Sequence, residues 1–289
     1  MRLSRRKGIV VVGLLATVMA LAAGTYGRVF GHKRVRFPYL TGTLAASEYQ
    51  ALAAHPGWRT AQLEVAAGIN LNGLVRRPQA ANAPWVLFYQ GNDAAMLKVG
   101  QAFLERLAAA QDWGLAVFAY RGYDSSDGVP YLSDLTHDAS EILNQLCRTQ
   151  GVDRGRVHVV GFSIGGHLAV RAVGAAQAVA PRPASLTLLA SVDDIVMVRR
   201  SLYAKLDPGD VLETHPYLDA IPAPVLVIQG TADESLMGPG QGRAIALKLG
   251  NRATYLELPG VGHIALLSND VALGKVREFI ASHSASLSP

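Results

Sequence analysis

A serine, an aspartate and a histidine stand where they could form a nucleophilic site. Ser163 lies in a G-x-S-x-G pattern at 161–165, and Asp233 and His263 each come shortly after a stretch with strand character. A serine hydroxyl is a poor nucleophile at neutral pH, so it requires a base within hydrogen-bond reach and a carboxylate that orients this base. With His263 as the base and Asp233 as the carboxylate, the three residues predict nucleophilic catalysis by Ser163.

The residues around Ser163 predict a tight turn between a strand and a helix. The apolar run V-H-V-V at 157–160 is typical of a short buried strand, and the segment 165–177 carries apolar residues on one helical face. Glycines two positions before and two after the serine let neighbouring backbone pass close to a strained turn. The pattern therefore predicts a serine hydroxyl exposed beyond the end of a strand.

The candidate acid and base are predicted at the same edge of the sheet as the serine. A strand predicted at 225–230 runs into G-T-A-D, which ends at Asp233, and a strand predicted at 253–258 is followed by P-G-V-G-H, which ends at His263. Ligands and reacting groups of open parallel sheets gather beyond the carboxyl ends of the strands. We therefore expect the two side chains near Ser163.

Other aspartates could supply the carboxylate. Asp193 and Asp194 directly follow the strand predicted at 185–190. Asp233 could instead cap the helix that follows it, since aspartate is a common N-cap residue.

The other histidines are weaker candidates for the base. His167 lies one turn into the helix predicted after Ser163, from where its ring cannot easily meet the hydroxyl head-on, so a packing role is favoured. His137 and His215 are predicted to face solvent, although His215 could border the substrate entrance.

Charge and composition exclude some classes of protein. Half of the 289 residues are hydrophobic and the net charge is +5, but eight of the 27 basic residues lie in the first 36 positions. From residue 37 onward, 19 basic residues face 22 acidic ones. A main domain of net negative charge argues against nucleic-acid binding.

The first 27 residues predict a signal segment or a membrane anchor. Residues 8–27 carry no charge and are about long enough to cross a bilayer's hydrocarbon core. The run exceeds the apolar core of a typical signal peptide, which favours an uncleaved anchor, although A-L-A at 20–22 could be a cleavage site. Basic residues flank both ends, so only the free amino terminus favours the N-terminus inside and the main domain outside the cytoplasm.

Beyond this segment, residues 28–55 are predicted to form a tether and residues 56–289 one α/β domain. Strands alternate with helices, which predicts a mostly parallel sheet covered on both faces. Strands are predicted at 59–65, 69–77, 85–90, 115–120, 157–160, 185–190, 225–230 and 253–258, and helices at 94–111, 133–149, 165–177 and 241–249. Residues 192–222 lack strand character and are predicted to form a short cap.

Four segments resemble the α/β-hydrolase family, and the resemblance covers residues 59–280. The family's Y-R-G-Y-G-x-S-x-G-x-P segment, found in esterase- and serine-aminopeptidase-like members, is similar to A-Y-R-G-Y-D-S-S-D-G-V-P. Its acid-bearing H-G-x-x-D and its histidine loop are similar to Q-G-T-A-D and P-G-V-G-H. The F-x-H-G-N-A-x segment of membrane-anchored relatives is similar to F-Y-Q-G-N-D-A-A. The order serine, aspartate, histidine is also that of the family.

The resemblance implies an oxyanion hole made by the backbone N–H groups of Asn92 and Ile164. Two glutamines depart from the family pattern: Gln90 and Gln229 stand where histidines are usual. The first could change how the oxyanion loop is braced, but neither replaces a catalytic group. The implied mechanism requires no cofactor and no metal, and no cluster in the sequence has metal-ligand spacing.

The resemblance implies a membrane-anchored serine hydrolase that acts on small-molecule acyl esters. A serine aminopeptidase or amidase is the alternative within enzymes, and it would need an anchor for a substrate amino group, for which Glu213, Asp207 and Asp210 are candidates. A different class of function is a non-catalytic tethered module with this fold, in which Ser163 is only the small residue of a turn. Oligomeric state and acyl chain length are not indicated by the sequence.

Overall fold

Eight strands form one mixed sheet in the computed structural model, which describes residues 44–93, 95–175, 182–193, 212–235 and 238–284. The order across the sheet is β1-β2-β4-β3-β5-β6-β7-β8. In chain order the strands are β1 (Trp58–Ala66), β2 (Ile69–Arg76), β3 (Trp85–Tyr89), β4 (Gly114–Phe118), β5 (Val157–Phe162), β6 (Ser185–Leu189), β7 (Val225–Gly230) and β8 (Ala253–Leu258). All eight coincide with predicted strands to within a residue or two at each end.

The six strands β4-β3-β5-β6-β7-β8 are parallel to one another, and β2 and β1 extend the sheet beyond β4 with antiparallel pairs. Every residue of β3, β4, β5, β6 and β7 is buried, as expected for parallel strands covered on both faces. The predicted class, a mostly parallel sheet in an α/β fold, is confirmed. Its carboxyl edge is where β5, β7 and β8 end.

Six α-helices accompany the strands in the described part of the chain. They are α1 (Ala46–Ala53), α2 (Met96–Leu107), α3 (Leu132–Gln150), α4 (Ile164–Ala175), α5 (Gly240–Leu249) and α6 (Asp270–Ser284). The four helices predicted from the sequence correspond to α2, α3, α4 and α5. Helix α6 was not predicted, although five of its residues are buried against the rest of the fold.

Helix α1 lies within residues 28–55, which the sequence predicted to be a tether. Its one buried residue is Tyr49, whose hydroxyl proton is shared between the backbone oxygens of Ala61 (3.1 Å) and Gly73 (2.9 Å) in the first two strands. The apolar signal of this helix is weak because only Leu52 and Ala53, both partly buried, pack against the core beside Tyr49. The described part of the tether is therefore docked on the sheet.

Two predicted segments fall mostly outside the described residues. The apolar segment at 8–27 lies entirely outside them, so the membrane anchor stays a prediction. Among the helices that the structure describes, none is long and apolar enough to span a bilayer. Most of the predicted cap, residues 194–211, also lies outside. Its described end forms a 3-10 turn at His215–Ala220.

Candidate active site

Ser163 occupies a strained turn between β5 and α4. Its φ of 57° is in the left-handed region, which costs a residue with a side chain about 1–3 kcal/mol. The flanking glycines are required for space: a Cβ on Gly161 would lie 2.5 Å from the backbone oxygen of Gly165, and a Cβ on Gly165 would lie 2.0 Å from the backbone oxygen of Tyr89. The sequence G-x-S-x-G thus gives the serine room in a crowded strand end, where it is 9% exposed and less open than the sequence predicts.

Asp233 and His263 form a hydrogen-bonded pair at the same edge. The Nδ1 atom of His263 lies 2.9 Å from Oδ2 of Asp233, and the side chains are 15% and 0% exposed. The aspartate sits on the loop after β7 and the histidine on the loop after β8, and these two strands are parallel neighbours. A carboxylate on Nδ1 fixes the proton there and leaves Nε2 free to act as a base.

The Asp233 carboxylate receives three further hydrogen bonds. The backbone N and hydroxyl of Ser235 lie 3.0 Å and 2.5 Å from Oδ1, and Nε2 of Gln229 lies 3.0 Å from Oδ2. Burial alone raises the pKa of this carboxyl, but the hydrogen bonds from Ser235 and His263 outweigh it, and the pKa lies below its usual range. Asp233 is therefore ionised at neutral pH.

His263 packs next to the serine turn. Its ring centroid is 4.7 Å from that of Phe162, the residue before Ser163. Among the described residues, no hydrogen bond joins Ser163 to His263; the polar contacts of the His263 ring are with Asp233 and Ser235. In ligand-free sites such contacts are often long and tighten when substrate binds.

The two backbone N–H groups predicted for the oxyanion hole belong to two different segments next to Ser163. Ile164 is the first residue of α4, where the N–H groups of a helix have no intrahelical acceptor. Asn92 follows Gly91 in the loop after β3, and a Cβ on Gly91 would lie 3.2 Å from Cβ of Ser163. Neither N–H, of Asn92 or of Ile164, donates a hydrogen bond to another described residue. Within the described part of the chain, both backbone donors are therefore available near the serine.

Known proteins share sequence and architecture with this chain. No family model matches the chain. An uncharacterized protein of Mycobacterium tuberculosis is 29% identical over 293 residues, 97% of each sequence. The alpha/beta hydrolase domain-containing protein WAV2 of Arabidopsis thaliana is 27% identical over 163 residues, which is 55% of this chain and 48% of that protein.

Solved structures agree with these sequence relatives. An alpha-beta hydrolase of Vibrio vulnificus superposes with a TM-score of 0.68 at 20% identity, covering 91% of this chain and 93% of that one. The chain has the α/β-hydrolase fold. The propionate-bound esterase Est2 of Thermogutta terrifontis (TM-score 0.62, 19% identity, 78% and 94% covered) and a proline iminopeptidase of Mycobacterium smegmatis (TM-score 0.60, 13% identity, 80% and 100% covered) are similar to it as well.

The two glutamines that depart from the α/β-hydrolase pattern have different surroundings. Gln229 donates to the carboxylate of Asp233, so this departure from histidine keeps a donor next to the acid. Gln90 is 1% exposed, and its backbone oxygen accepts from the hydroxyl of Tyr120 at 2.7 Å. Among the described residues, the side-chain oxygens of both glutamines are buried without a hydrogen-bond partner. The difference between them is therefore that the side-chain nitrogen of Gln229 donates to Asp233.

The loop after β4 braces the predicted oxyanion residue in a way that the sequence did not reveal. The hydroxyl of Tyr123 donates to Oδ1 of Asn92 at 2.7 Å. Asp124, at the position of a glycine in the family segment, has a φ of 43° and accepts from the backbone N of Leu97 (2.8 Å) and of Leu44 (3.0 Å). This aspartate caps α2, and its loop places Tyr123 beside Asn92.

The structure brings one of the candidate acids to His263, namely Asp233. Asp193 contacts a different histidine: Nδ1 of His215 lies 3.3 Å from both of its carboxylate oxygens. Asp194 lies outside the described residues. The two described residues after Asp233 are not helical, so a role of Asp233 as the cap of a helix is not seen there.

The remaining histidines are not placed to act on Ser163. His167 is 1% exposed and its Nδ1 lies 3.0 Å from the hydroxyl of Thr214. Burial, with a smaller contribution from the charge of Arg171, lowers its pKa to about 3. His137 is exposed, as predicted. Of the predicted amino-group anchors, only Glu213 falls within the described residues.

Proposed function

We propose that the protein is a serine hydrolase that cleaves carboxylic esters through an acyl-enzyme intermediate. The observation that carries the proposal is the hydrogen-bonded pair of Asp233 and His263 beside Ser163, a serine held at positive φ in the turn before a helix. Strain of this kind persists only where the surrounding structure enforces it, and it concentrates at functional sites. The α/β-hydrolase fold supports the chemistry, although fold alone does not establish a substrate.

In the proposed mechanism, Oγ of Ser163 attacks the ester carbonyl carbon while Nε2 of His263 takes the hydroxyl proton. Asp233 orients the ring and stabilises the imidazolium that forms. The backbone N–H groups of Asn92 and Ile164 donate to the oxygen on which negative charge develops, and each such donor typically contributes about 2.7–4 kcal/mol. His263 returns the proton to the leaving alcohol. Water then attacks the acyl-enzyme with His263 again as the base, and His263 returns the proton to Ser163 as the carboxylic acid leaves.

An ester is favoured as the substrate because the propionate-bound Thermogutta protein, which shares the fold, is described as an esterase. The proline iminopeptidase of Mycobacterium smegmatis makes amide substrates the alternative. The two substrate classes share the acylation chemistry, so only turnover can separate them.

Labelling with a fluorophosphonate probe tests the nucleophile. The wild-type protein is expected to be labelled, and Ser163→Ala is expected to lose both labelling and ester turnover, the latter by about 10⁶-fold or to the detection limit. Ser191→Ala is a matched control, because Ser191 is a buried serine at the end of the neighbouring β6 whose hydroxyl has no partner among the described residues. It should be labelled like the wild type.

A panel of acyl esters and aminoacyl amides then tests the substrate class. Hydrolysis of short acyl esters with little amide turnover supports the proposal, whereas turnover of amides alone would replace the esterase by an aminopeptidase or amidase. If wild type and Ser163→Ala are labelled equally, or neither is labelled, the chain is better described as a non-catalytic module with this fold.

A further inference from the structure

We infer that Ser235 is a fourth member of the proposed site, a positioning residue that holds Asp233 and His263 in one arrangement. The inference rests on the proposed function and extends it to a residue that the sequence pattern did not single out. Its basis is a hydroxyl that contacts both partners: Oγ of Ser235 lies 2.5 Å from Oδ1 of Asp233 and 3.3 Å from Nδ1 of His263.

The two carboxylate oxygens of Asp233 have separate partners. Oδ1 faces Ser235 through its backbone N and its hydroxyl, and Oδ2 faces His263 and Gln229. A carboxylate whose two oxygens are both held by directional donors cannot rotate about its own bond without losing several hydrogen bonds. The hydroxyl of Ser235 therefore opposes any rotation that would turn Oδ2 away from the imidazole.

The same hydroxyl favours one tautomer of His263. A hydroxyl has a single proton, and the shorter contact shows that this proton goes to Asp233. Towards Nδ1 of His263 the oxygen of Ser235 can then only accept. An Nδ1–H is satisfied by Oδ2 of Asp233 and, more weakly, by Ser235, whereas a bare Nδ1 would face two acceptors. Ser235 thus helps to keep the proton on Nδ1 and Nε2 free for the proton of Ser163.

Ser235 is close to Asp233 in the sequence as well as in space. It lies two residues after Asp233, and its backbone N donates to the same oxygen as its hydroxyl, so the turn itself brings the group into place. Hydrogen bonding from Ser235 is also a principal reason that the pKa of Asp233 lies below its usual range, against the effect of burial. Removing the hydroxyl leaves Oδ1 with the backbone donor alone among these contacts.

The pH dependence of fluorophosphonate labelling tests the inference in the full-length protein. Because the Asp233 carboxylate stabilises a neighbouring imidazolium more strongly when it loses a donor, Ser235→Ala is expected to shift the acidic limb of the labelling rate, which reports protonation of the base, to higher pH by about 0.5–1 unit. The rate at the optimum is expected to fall about tenfold, the factor that corresponds to roughly one hydrogen bond. Ser235→Thr keeps the hydroxyl and should restore both the limb and the rate.

Ser268→Ala is the matched control, because this exposed serine lies in the 3-10 turn that follows His263 and, among the described residues, its hydroxyl donates to the backbone oxygen of Ala265. Its limb and rate should match the wild type. If Ser235→Ala does not fold, Ser235→Cys replaces the hydroxyl by a weak donor of similar size and should show the same direction of shift.

The outcomes separate this inference from the proposed function. If the wild type is not labelled at Ser163, the proposed function fails. If the wild type is labelled and Ser235→Ala has the wild-type limb, the role of Ser235 is overturned while the nucleophile stands. Two further outcomes would mean that Ser235 is only structural and would also overturn the inference. In the first, Ser235→Ala is labelled more slowly but its acidic limb is not shifted; in the second, Ser235→Thr does not restore the limb and the labelling rate.

Discussion

Two aspartate–histidine pairs lie beyond the carboxyl ends of neighbouring strands, and they differ in how the carboxylate is held. Asp233 and His263 follow β7 and β8 and meet through one 2.9 Å contact between Nδ1 and Oδ2. Asp193 and His215 lie beyond β6, and Nδ1 of His215 is 3.3 Å from both carboxylate oxygens. The two pairs therefore share their residue types and their place beyond a parallel strand, but the distances between imidazole and carboxylate differ.

The surroundings explain the difference. Side-chain donors from Ser235 and Gln229 fix the Asp233 carboxylate, and the ring of His263 is 15% exposed and packed on Phe162. The His215 ring is 44% exposed. We therefore expect the pair whose ring is packed on Phe162, and not the pair whose ring is 44% exposed, to take part in proton transfer.

Around the second pair, the backbone contacts tie chain segments together. The backbone N of Asp193 donates to the side-chain oxygen of Gln241, and its backbone oxygen accepts from the N of Thr214, both at 2.6 Å. The hydroxyl of Thr214 donates to the backbone oxygen of Val192 at 2.6 Å and also contacts His167 on α4. These residues brace the helix that follows Ser163, so we expect them to contribute to stability rather than to turnover.

The largest expected effect separates the two aspartates by activity. Asp233→Asn should lower kcat for ester hydrolysis about 10⁴-fold, because an amide no longer holds the productive tautomer and cannot stabilise the imidazolium. Asp193→Asn should leave kcat nearly unchanged at neutral pH. Steady-state turnover of both variants, with thermal unfolding to confirm that each is folded, makes the measurement.

The comparison would be reversed if Asp193→Asn lost activity and Asp233→Asn retained it. That result would assign the acid to the strand β6, the alternative that the sequence left open. Equal losses in both folded variants would show that the two carboxylates act together, which the separate contacts of the structure do not predict.

The positions of Ser163, Asp233 and His263 could be predicted because each depends on local sequence and on one topological rule. A strand, a tight turn and a helix are visible in the residues around Ser163, and parallel strands bring their carboxyl ends to one edge. The strands were predictable for the same reason: runs of buried β-branched and aliphatic residues need no knowledge of their partners.

The contacts that tune the site could not be predicted. The bond between Ser235 and Asp233 depends on the loop conformation after β7, and the bond between Tyr123 and Asn92 joins loops that follow two different strands. Helix α1 also gave little signal, since it is held by the hydroxyl of Tyr49 on two backbone oxygens rather than by a wide apolar face. Such contacts exist only after the chain has folded.

The next effect concerns acid stability, and it depends on two buried histidines that lie outside both aspartate–histidine pairs. Burial lowers the pKa of His167 to about 3, with a smaller contribution from Arg171, and lowers that of His158 to about 3, with a smaller contribution from His283. In the unfolded chain each has a pKa of about 6.5, so between pH 6.5 and 3 the unfolded state binds more protons. The free energy of unfolding should therefore fall as pH falls, by about 1.4 kcal/mol per pH unit for each histidine.

Chemical denaturation at several pH values measures this slope. His167→Gln and His158→Gln should each flatten it in that window, and together they should remove both contributions. His137→Gln is the control, since His137 is exposed and should leave the slope as in the wild type. A wild-type stability that does not change between pH 6.5 and 4 would contradict the burial of both rings.

The smallest expected effect concerns the second pair itself. His215→Gln should change the free energy of unfolding by less than about 1 kcal/mol and leave ester turnover unchanged, because a contact between a carboxylate and a partly exposed ring gains little over the hydrated groups. Thr214→Val, in contrast, removes a buried hydroxyl that contacts both Val192 and His167, and it should cost about 1–3 kcal/mol. If His215→Gln destabilised the fold as much as Thr214→Val, the ion pair and not the threonine would be the main brace of the helix behind Ser163.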